Sequence, residues 1–260
     1  MHLSPIWDAL FTLVLGGAGY WYLSERAARA AISRWRQAAF LVALALSALI
    51  TIGPVAHAAI HTFWIHMIQH IGLMMLISPL FVLGAPMRVA LNSKRPRLRE
   101  ASQSFLYGRA AKILFNPTFG FALFLIVLVL THFSPLADAG MRNPNIHSLE
   151  LLLFIVGGFI YYYPVMEGNP TPIHVPYSTR VLSLFAMMLP ETMVGFFLYS
   201  GNRLLHALPH GISMSDGVSD QHTGGAIMWA MGMLIDTIWI VLAARDWFES
   251  EKMLAEEEDE

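Results

Sequence analysis

The stretch that decides the fold runs from His57 to Pro86 and reads HAAIHTFWIHMIQHIGLMMLISPLFVLGAP. It is apolar enough to cross a membrane, yet it contains four histidines. His66, His70 and Met74 follow one another at intervals of four residues, which places them on one face of a helix. Ionisable groups in a membrane span are costly and usually mark functional sites. The pattern predicts a membrane helix that carries a site; the alternative is that the histidines are packing contacts between helices.

The composition indicates an integral membrane protein built of helices. Of the 260 residues, 56% are hydrophobic and 13% are charged, and the mean hydropathy is +0.54. Soluble domains have about 25% charged residues. The absence of cysteine excludes disulfides, thiolate metal sites and haem attached through CxxCH. The net charge of −2, with no basic patch interleaved with aromatic residues, gives no indication of nucleic-acid binding.

The apolar runs predict an all-α protein, a bundle of seven transmembrane helices. Each run is long enough to cross a hydrocarbon core of about 30 Å. We expect residues 1–246 to form this membrane domain and residues 247–260 to form an acidic cytoplasmic tail that is disordered and solvated. The predicted spans are approximately 5–23, 37–56, 62–84, 113–133, 147–165, 180–200 and 222–244.

The distribution of basic residues predicts the orientation of the bundle. Lys and Arg concentrate in the links 24–37 and 87–112, and only Arg142 and Arg203 fall on the opposite side. The positive-inside rule then places the N-terminus outside and the C-terminus in the cytoplasm. In this orientation every histidine except His174 lies at or near the outer face. The link 87–112 also has the composition of a helix at the membrane surface.

The histidines and methionines suggest a metal site at the outer end of the bundle. Imidazole suits copper, zinc and iron, and thioether sulfur selects Cu(I). Glu150, three residues after His147, is either a ligand or a partner that fixes the histidine tautomer; the alternative is an ordinary helix start capped by Asn145. The candidate ligands are His66, His70, His57, His61, His147, Glu150, His222, Met67 and Met74.

The seventh predicted span has two further features. Gly224 and Gly225 would let another helix approach closely because neither has a side chain. Asp236 in this span and Glu191 in the sixth are carboxylates predicted to lie deep in the bilayer. They form either a buried path for protons or cations or a structural polar contact.

Three segments resemble one known family. HMIQHIGLMMLISPLFVLGAP (66–86), NIHSLELLLFIVGGFIYYYPV (145–165) and SDQHTGGAIMWAMG (219–232) are similar to segments of the CtaG-like cytochrome c oxidase assembly factors, in the same order. The family often has a second histidine directly after the fifth-span Glu, where this chain has Leu151. The resemblance implies a multi-pass protein of the bacterial inner membrane that acts in copper supply to a haem-copper oxidase. Its implied partners are oxidase subunits or other oxidase assembly proteins, within the lipid bilayer.

The interpretation that follows is a non-catalytic assembly factor that delivers or inserts copper through an outer His/Met cluster. One alternative is a haem- or metal-binding membrane redox enzyme that uses the same histidines as ligands. The sequence shows no obvious partner for His70 at its own depth, which argues against haem. Another alternative is a proton-coupled transporter that depends on Glu191 and Asp236. A retinal protein is excluded because the lysines, Lys94, Lys112 and Lys252, are all predicted to be cytoplasmic.

Overall fold

A computed structural model describes residues 5–59, 62–205 and 213–258, and these residues form helices without any strand. The all-α prediction is therefore confirmed for the described part of the chain. The helices are α1 (Pro5–Ser24), α2 (Arg26–Arg29), α3 (Arg34–Thr51), α4 (Pro54–Ala59), α5 (Phe63–Ile71), α6 (Ser78–Leu83), α7 (Pro86–Leu91), α8 (Pro96–Leu106), α9 (Arg109–Leu114), α10 (Pro117–Phe133), α11 (Pro135–Arg142), α12 (Pro144–Val165), α13 (Tyr177–Ser200) and α14 (Met214–Glu258). A π-helical segment, Gly72–Ile77, joins α5 to α6.

Five helical stretches are long and apolar enough to cross a membrane, which is the architecture of a membrane protein. A sixth span results if α10 and α11, which meet at a bend of 66°, are counted as one. The helix α1 has 20 residues but is not among the five. The prediction of seven spans is thus confirmed only in part. The five stretches are Arg34–Ala59, Phe63–Leu91, Pro144–Val165, Tyr177–Ser200 and Met214–Met253.

Proline and capping residues set the helix boundaries. Proline occupies the first turn of α7, of α8 and of α10 to α12, where its missing N–H costs nothing. Asn116 and Ser134 cap α10 and α11 with their side chains. Asn143 caps α12 by accepting from the Asn145 backbone N–H at 2.9 Å. The predicted cap at Asn145 was therefore two residues too late.

The stretch from Phe63 to Leu91 lies at the centre of the bundle. Of its most apolar part, 78% is buried, and it packs against α3, α12 and α14. Its neighbours also satisfy the polar groups of the π-helical segment and the turn after it. Trp239 Nε1 donates to the Met75 carbonyl oxygen at 2.8 Å, and Ser78 Oγ lies within hydrogen-bonding distance of the carbonyl oxygens of Leu73 and Ile155. Such segments often accompany functional sites within helices.

The two glycines of α14 lie where other helices pass close by, as predicted. A Cβ on Gly225 would overlap the backbone nitrogen of Tyr199 and lie 2.8 Å from the carbonyl oxygen of Gly195, both in α13. A Cβ on Gly224 would come within 3.0 Å of Phe63 and Met67. Close contact of α14 with α13 and α5 depends on these small residues.

The C-terminal residues differ from the prediction of a disordered tail. Helix α14 continues without a break through Glu258. Arg245 pairs with Glu249 at 3.2 Å and Lys252 with Glu256 at 3.7 Å, each four residues apart. Ion pairs at this spacing stabilise a helix, which explains why an acidic segment stays helical. The basic link 87–112 likewise contains α8 and parts of α7 and α9.

Candidate metal centre

The ends of three helices meet at one end of the bundle and bring histidines together. His66 and His70 lie in α5, His147 lies in the first turns of α12, and His132 lies near the end of α10. The start of α5 is held by α14, because the Asp220 carboxylate accepts from the backbone N–H groups of Phe63 and Trp64 at 2.8 and 3.0 Å. This contact satisfies N–H groups that an isolated helix leaves unpaired.

Four buried side chains form a group with the geometry of a metal site. One ligand atom from each of His66, His70, His147 and Glu150 lies within 4.8 Å of the others. Ligands that share one ion lie about 3–4 Å apart, since metal–nitrogen and metal–oxygen bonds are about 2.0–2.2 Å long. Small side-chain rotations therefore suffice to bring the four atoms onto one ion. All four residues are at most 5% exposed.

Gln69 determines which nitrogen of His147 carries the proton. The Gln69 Nε2 atom donates to the Ile50 carbonyl oxygen at 2.8 Å, so its Oε1 atom must face His147. This oxygen lies 3.0 Å from His147 Nε2, and as an acceptor it requires a proton there. In neutral His147 the lone pair is thus on Nδ1. A partner of this kind is what orients a metal-ligating histidine.

The lone pair of His147 faces the carboxylate of Glu150. Nδ1 lies 3.7 Å from Glu150 Oε2, and Glu150 Oε1 has no hydrogen-bond partner among the described residues. Two such groups that face each other in a buried site need either a proton or a metal ion between them. Gly140 of α11 covers the carboxylate so closely that a Cβ there would overlap it. Glu150 therefore faces His147 instead of serving only as an acidic residue in the first turn of α12.

His70 and His132 have unsatisfied nitrogens beside this group. Neither ring nitrogen of His70 has a hydrogen-bond partner among the described residues, and the same holds for His132 Nε2. The His70 ring lies 4.0 Å from the His66 ring and 5.6 Å from the His132 ring, between centroids. His132 is not among the ligands that the sequence predicts. The only sequence signal for it was its position near the outer face.

Two small cavities adjoin the histidines. The Met67 cavity, of about 10 Å³, is bordered by Phe63, His66, Met67, Thr131 and His132. The Met228 cavity, also of about 10 Å³, is bordered by His70, Met74, Met75, His132, Glu191 and Met228. His132 borders both cavities. Each has room for about one water-sized sphere.

The remaining predicted ligands lie apart from the four-residue group. His57 is exposed in α4, and His222 Nε2 bonds to the Gly201 carbonyl oxygen at 2.9 Å. Neither belongs to the group of described residues that could hold a metal. His61 falls outside the described residues. Met67 borders the Met67 cavity, and Met74 borders the Met228 cavity. Glu191 also borders the Met228 cavity, and Asp236 lies beside Glu191.

The argument that His70 lacks a partner at its depth was wrong, because three other histidine rings lie within 6.4 Å of it. They come from α5, α10 and α12, and helix ends that are distant in sequence converge there. Space argues against haem instead. The two cavities that adjoin the histidines have about 10 Å³ each, and a porphyrin does not fit into that volume.

Fold and site together define a helical membrane protein with a buried group of imidazole and carboxylate side chains. The model of one family, described as cytochrome c oxidase caa3 assembly factor (Caa3_CtaG), matches residues 17–250. The chain therefore belongs to the Caa3_CtaG family, as the three sequence segments indicated.

Three mycobacterial proteins are related to this chain. The uncharacterized proteins Mb0105 of Mycobacterium bovis and MT0111 of Mycobacterium tuberculosis are each 30% identical to it over 211 residues. ML1998 of Mycobacterium leprae has the same identity over the same length. Each alignment covers 76% of this chain and 32% of the relative, so the chain spans about a third of the proteins it matches. No solved structure matches the chain.

Proposed function

We propose that this protein is a non-catalytic assembly factor for a haem-copper cytochrome c oxidase in the bacterial inner membrane. It binds copper at His66, His70, His147 and Glu150 and delivers it to oxidase subunits or to other assembly proteins. Membership of the Caa3_CtaG family supports the assembly role. Copper is the metal that this role requires, and imidazole is one of its common ligands.

The observation that carries the copper proposal is the contact between His147 Nδ1 and Glu150 Oε2, two acceptors 3.7 Å apart in a buried site. Glu150 makes no ion pair with Lys or Arg among the described residues. A buried carboxyl group without a basic partner either stays protonated or binds a cation. Three neutral imidazoles, one carboxylate and Cu(I) have a total charge of zero, so the loaded site is neutral inside the membrane.

The arrangement suits an ion that must also leave. Residues of α5 and α12 supply the ligands, and α11 covers Glu150 through Gly140. The bend of 66° between α10 and α11 makes α11 a separate short element over the centre. Movement of α11 would open the site without disturbing the long helices that hold the ligands.

Glu150→Gln tests the copper site without removing side-chain volume. The amide of Gln is a poor metal ligand, but its N–H group can donate to the lone pair on His147 Nδ1. We therefore expect unchanged or slightly higher thermal stability, together with a loss of bound copper by more than about tenfold. Oxidase activity in membranes that contain only the variant should fall in parallel.

Glu100→Gln is the matched control, because Glu100 is exposed in α8. Copper per chain is measured by elemental analysis after loading with Cu(I), and oxidase maturation by the haem and copper content of the purified oxidase. A Glu150→Gln protein with wild-type copper content would refute the site. A Glu150→Gln protein that loses its copper while the oxidase still matures fully would refute the role in delivery.

A further inference from the structure

A cavity of about 280 Å³, which we call the Arg36 cavity, lies at the end of the bundle away from the histidines. Helix α12 begins beside His147 and ends at Val165, directly before two residues that border this cavity. The cavity therefore lies at the end that the basic residues predict to be cytoplasmic. Its polar and aromatic border consists of Trp35, Arg36, Glu167, Arg245 and Asp246.

The protein holds the half-buried Arg36 in one position at this border. Its Nη1 group donates to the carbonyl oxygens of Leu83 and Glu167 at 3.2 and 2.9 Å. The guanidinium carbon lies 4.5 Å from the centroid of the Trp35 ring, a cation–π contact. Gly168 provides the room, because a Cβ there would come 2.7 Å from Nη1. The Nε and Nη2 groups donate to none of the described residues, so they can bind an anion in the cavity.

Asp246 supplies the opposite charge at the same cavity. Its carboxylate lies 3.7 Å from Arg245, which is too long for a hydrogen bond, and no hydrogen bond to it is found among the described residues. Arg36 and Asp246 do not form an ion pair with each other. The cavity is thus bordered by one cation and one anion that both have free hydrogen-bonding groups.

The other charged groups at the border already have closer partners. Arg245 pairs with Glu249 at 3.2 Å, and Glu167 pairs with Arg180 at 3.2 Å. What remains to be satisfied is one guanidinium group and one carboxylate. Guanidinium binds phosphate in a bidentate manner, and a carboxylate accepts from an ammonium group. The cavity therefore fits a zwitterion with a phosphate and a primary ammonium group.

The position of the cavity favours a lipid as the source of this zwitterion. Arg36 lies near the start of α3 and Asp246 in the last part of α14, and both helices belong to stretches that are long and apolar enough to cross a membrane. The ends of such stretches lie at the level of the lipid headgroups. Apolar side chains complete the border of the cavity, namely those of Leu83, Met166 and Leu242.

We propose that the Arg36 cavity binds the phosphoethanolamine headgroup of a phospholipid from the cytoplasmic leaflet. Arg36 binds the phosphate and Asp246 accepts from the ammonium group. The cavity has about 280 Å³, whereas those beside the histidines have about 10 Å³ each, so it has room for such a group. Because none of its border residues belongs to the metal group, this site is independent of the proposed copper function.

The test compares three phospholipids that have the same acyl chains and differ only in the headgroup. Phosphatidylethanolamine, phosphatidylcholine and phosphatidylglycerol are each titrated onto the full chain in detergent, and native mass spectrometry measures the bound lipid. We expect phosphatidylethanolamine to bind at least about tenfold more tightly than the other two, because only its ammonium group can donate to a carboxylate. Equal affinity for phosphatidylethanolamine and phosphatidylcholine, or tightest binding of phosphatidylglycerol, would overturn the proposal.

Asp246→Asn tests the ammonium contact separately from the phosphate contact. We expect the preference for phosphatidylethanolamine over phosphatidylcholine to fall to less than about threefold, with the affinity for phosphatidylcholine unchanged. Glu249→Gln is the matched control, because Glu249 lies on the same helix, is 63% exposed and does not border the cavity. An unchanged preference in Asp246→Asn, or an equal loss in both variants, would refute the role of Asp246.

A soluble competitor distinguishes the lipid from a free headgroup. Glycerophosphoethanolamine has the same charged groups without acyl chains, and we expect it not to displace the lipid at equal concentration. Displacement would show a site for a soluble zwitterion and overturn the lipid assignment. The comparison of the three lipids uses the unsubstituted protein, so it does not depend on the folding of a variant. Size-exclusion chromatography verifies the folding of each variant.

Discussion

At the scale of single residues, the two ring nitrogens of His147 have different partners. Nε2 donates to Gln69, and Nδ1 faces Glu150. The spacing of His66 and His70 predicts their shared face, but the hydrogen bond from His147 to Gln69, 78 residues apart, cannot be inferred from the sequence. A hydrogen bond between two helices depends on their rotation and depth, which the local sequence does not determine.

Gln69→Leu should weaken Cu(I) binding by about 10- to 100-fold. The change removes the acceptor that holds the proton of His147 on Nε2, so Nδ1 no longer presents its lone pair consistently. Titration with a competing Cu(I) chelator measures the affinity. Gln103→Leu in α8 is the control, because Gln103 is exposed. Equal affinities in the two variants would mean that Gln69 has no part in orienting the histidine.

At the scale of helices, the π-helical segment Gly72–Ile77 and its partner Trp239 are features that hydrophobic periodicity did not predict. The apolar run predicted one continuous span from 62 to 84, and the helix is indeed unbroken there. The change in hydrogen-bond pattern depends on donors from other helices, here the Trp239 indole. Tertiary hydrogen bonds of this kind stabilise a π-helical turn, whose internal hydrogen bonds are weaker than those of an α-helix.

Trp239→Phe should destabilise the folded protein by about 0.6–2 kcal/mol, the usual contribution of a polar contact between membrane helices. Phe keeps most of the buried surface but cannot donate to the Met75 carbonyl. The midpoint of thermal unfolding in detergent gives the measurement. Trp229→Phe, at a position 36% exposed on the same helix, should leave that midpoint unchanged. Equal midpoints for the two variants would show that the indole hydrogen bond is dispensable.

Gly225→Leu should sharply reduce the amount of folded protein. The new side chain would collide with the backbone of α13 at Tyr199 and Gly195, and overpacking typically costs about 1–3 kcal/mol or more. Fluorescence-detected size-exclusion chromatography of a tagged protein gives the yield. Gly16→Leu is the control, since a Cβ on Gly16 meets no atom within 4 Å. A normal yield for Gly225→Leu would contradict the close packing of α13 and α14.

At the scale of the whole molecule, the placement of basic residues predicts opposite sides of the membrane for the two ends of the bundle. Reporter fusions after Asn92 and after Asn202 should report cytoplasm and outside, respectively. The proposed metal centre lies at the end of α10 and the start of α5 and α12, which would place it toward the outer side. The same compartment for both fusions would disprove this orientation and, with it, the outer position of the proposed centre.

The sequence by itself determined the class of protein, because apolar length and charge distribution are local properties that a bilayer selects directly. It also determined the pair His66 and His70, since helical spacing alone places them on one face, and the three segments that indicate the family. Tertiary structure alone decided which distant side chains join that pair. His147 and Glu150 reach it and His132 comes close, whereas His222, equally plausible by position, bonds to Gly201 instead. The physical reason is that helix tilt and close packing at residues such as Gly225 arise from contacts across the whole bundle, and a change of a few ångströms decides whether a side chain can share an ion.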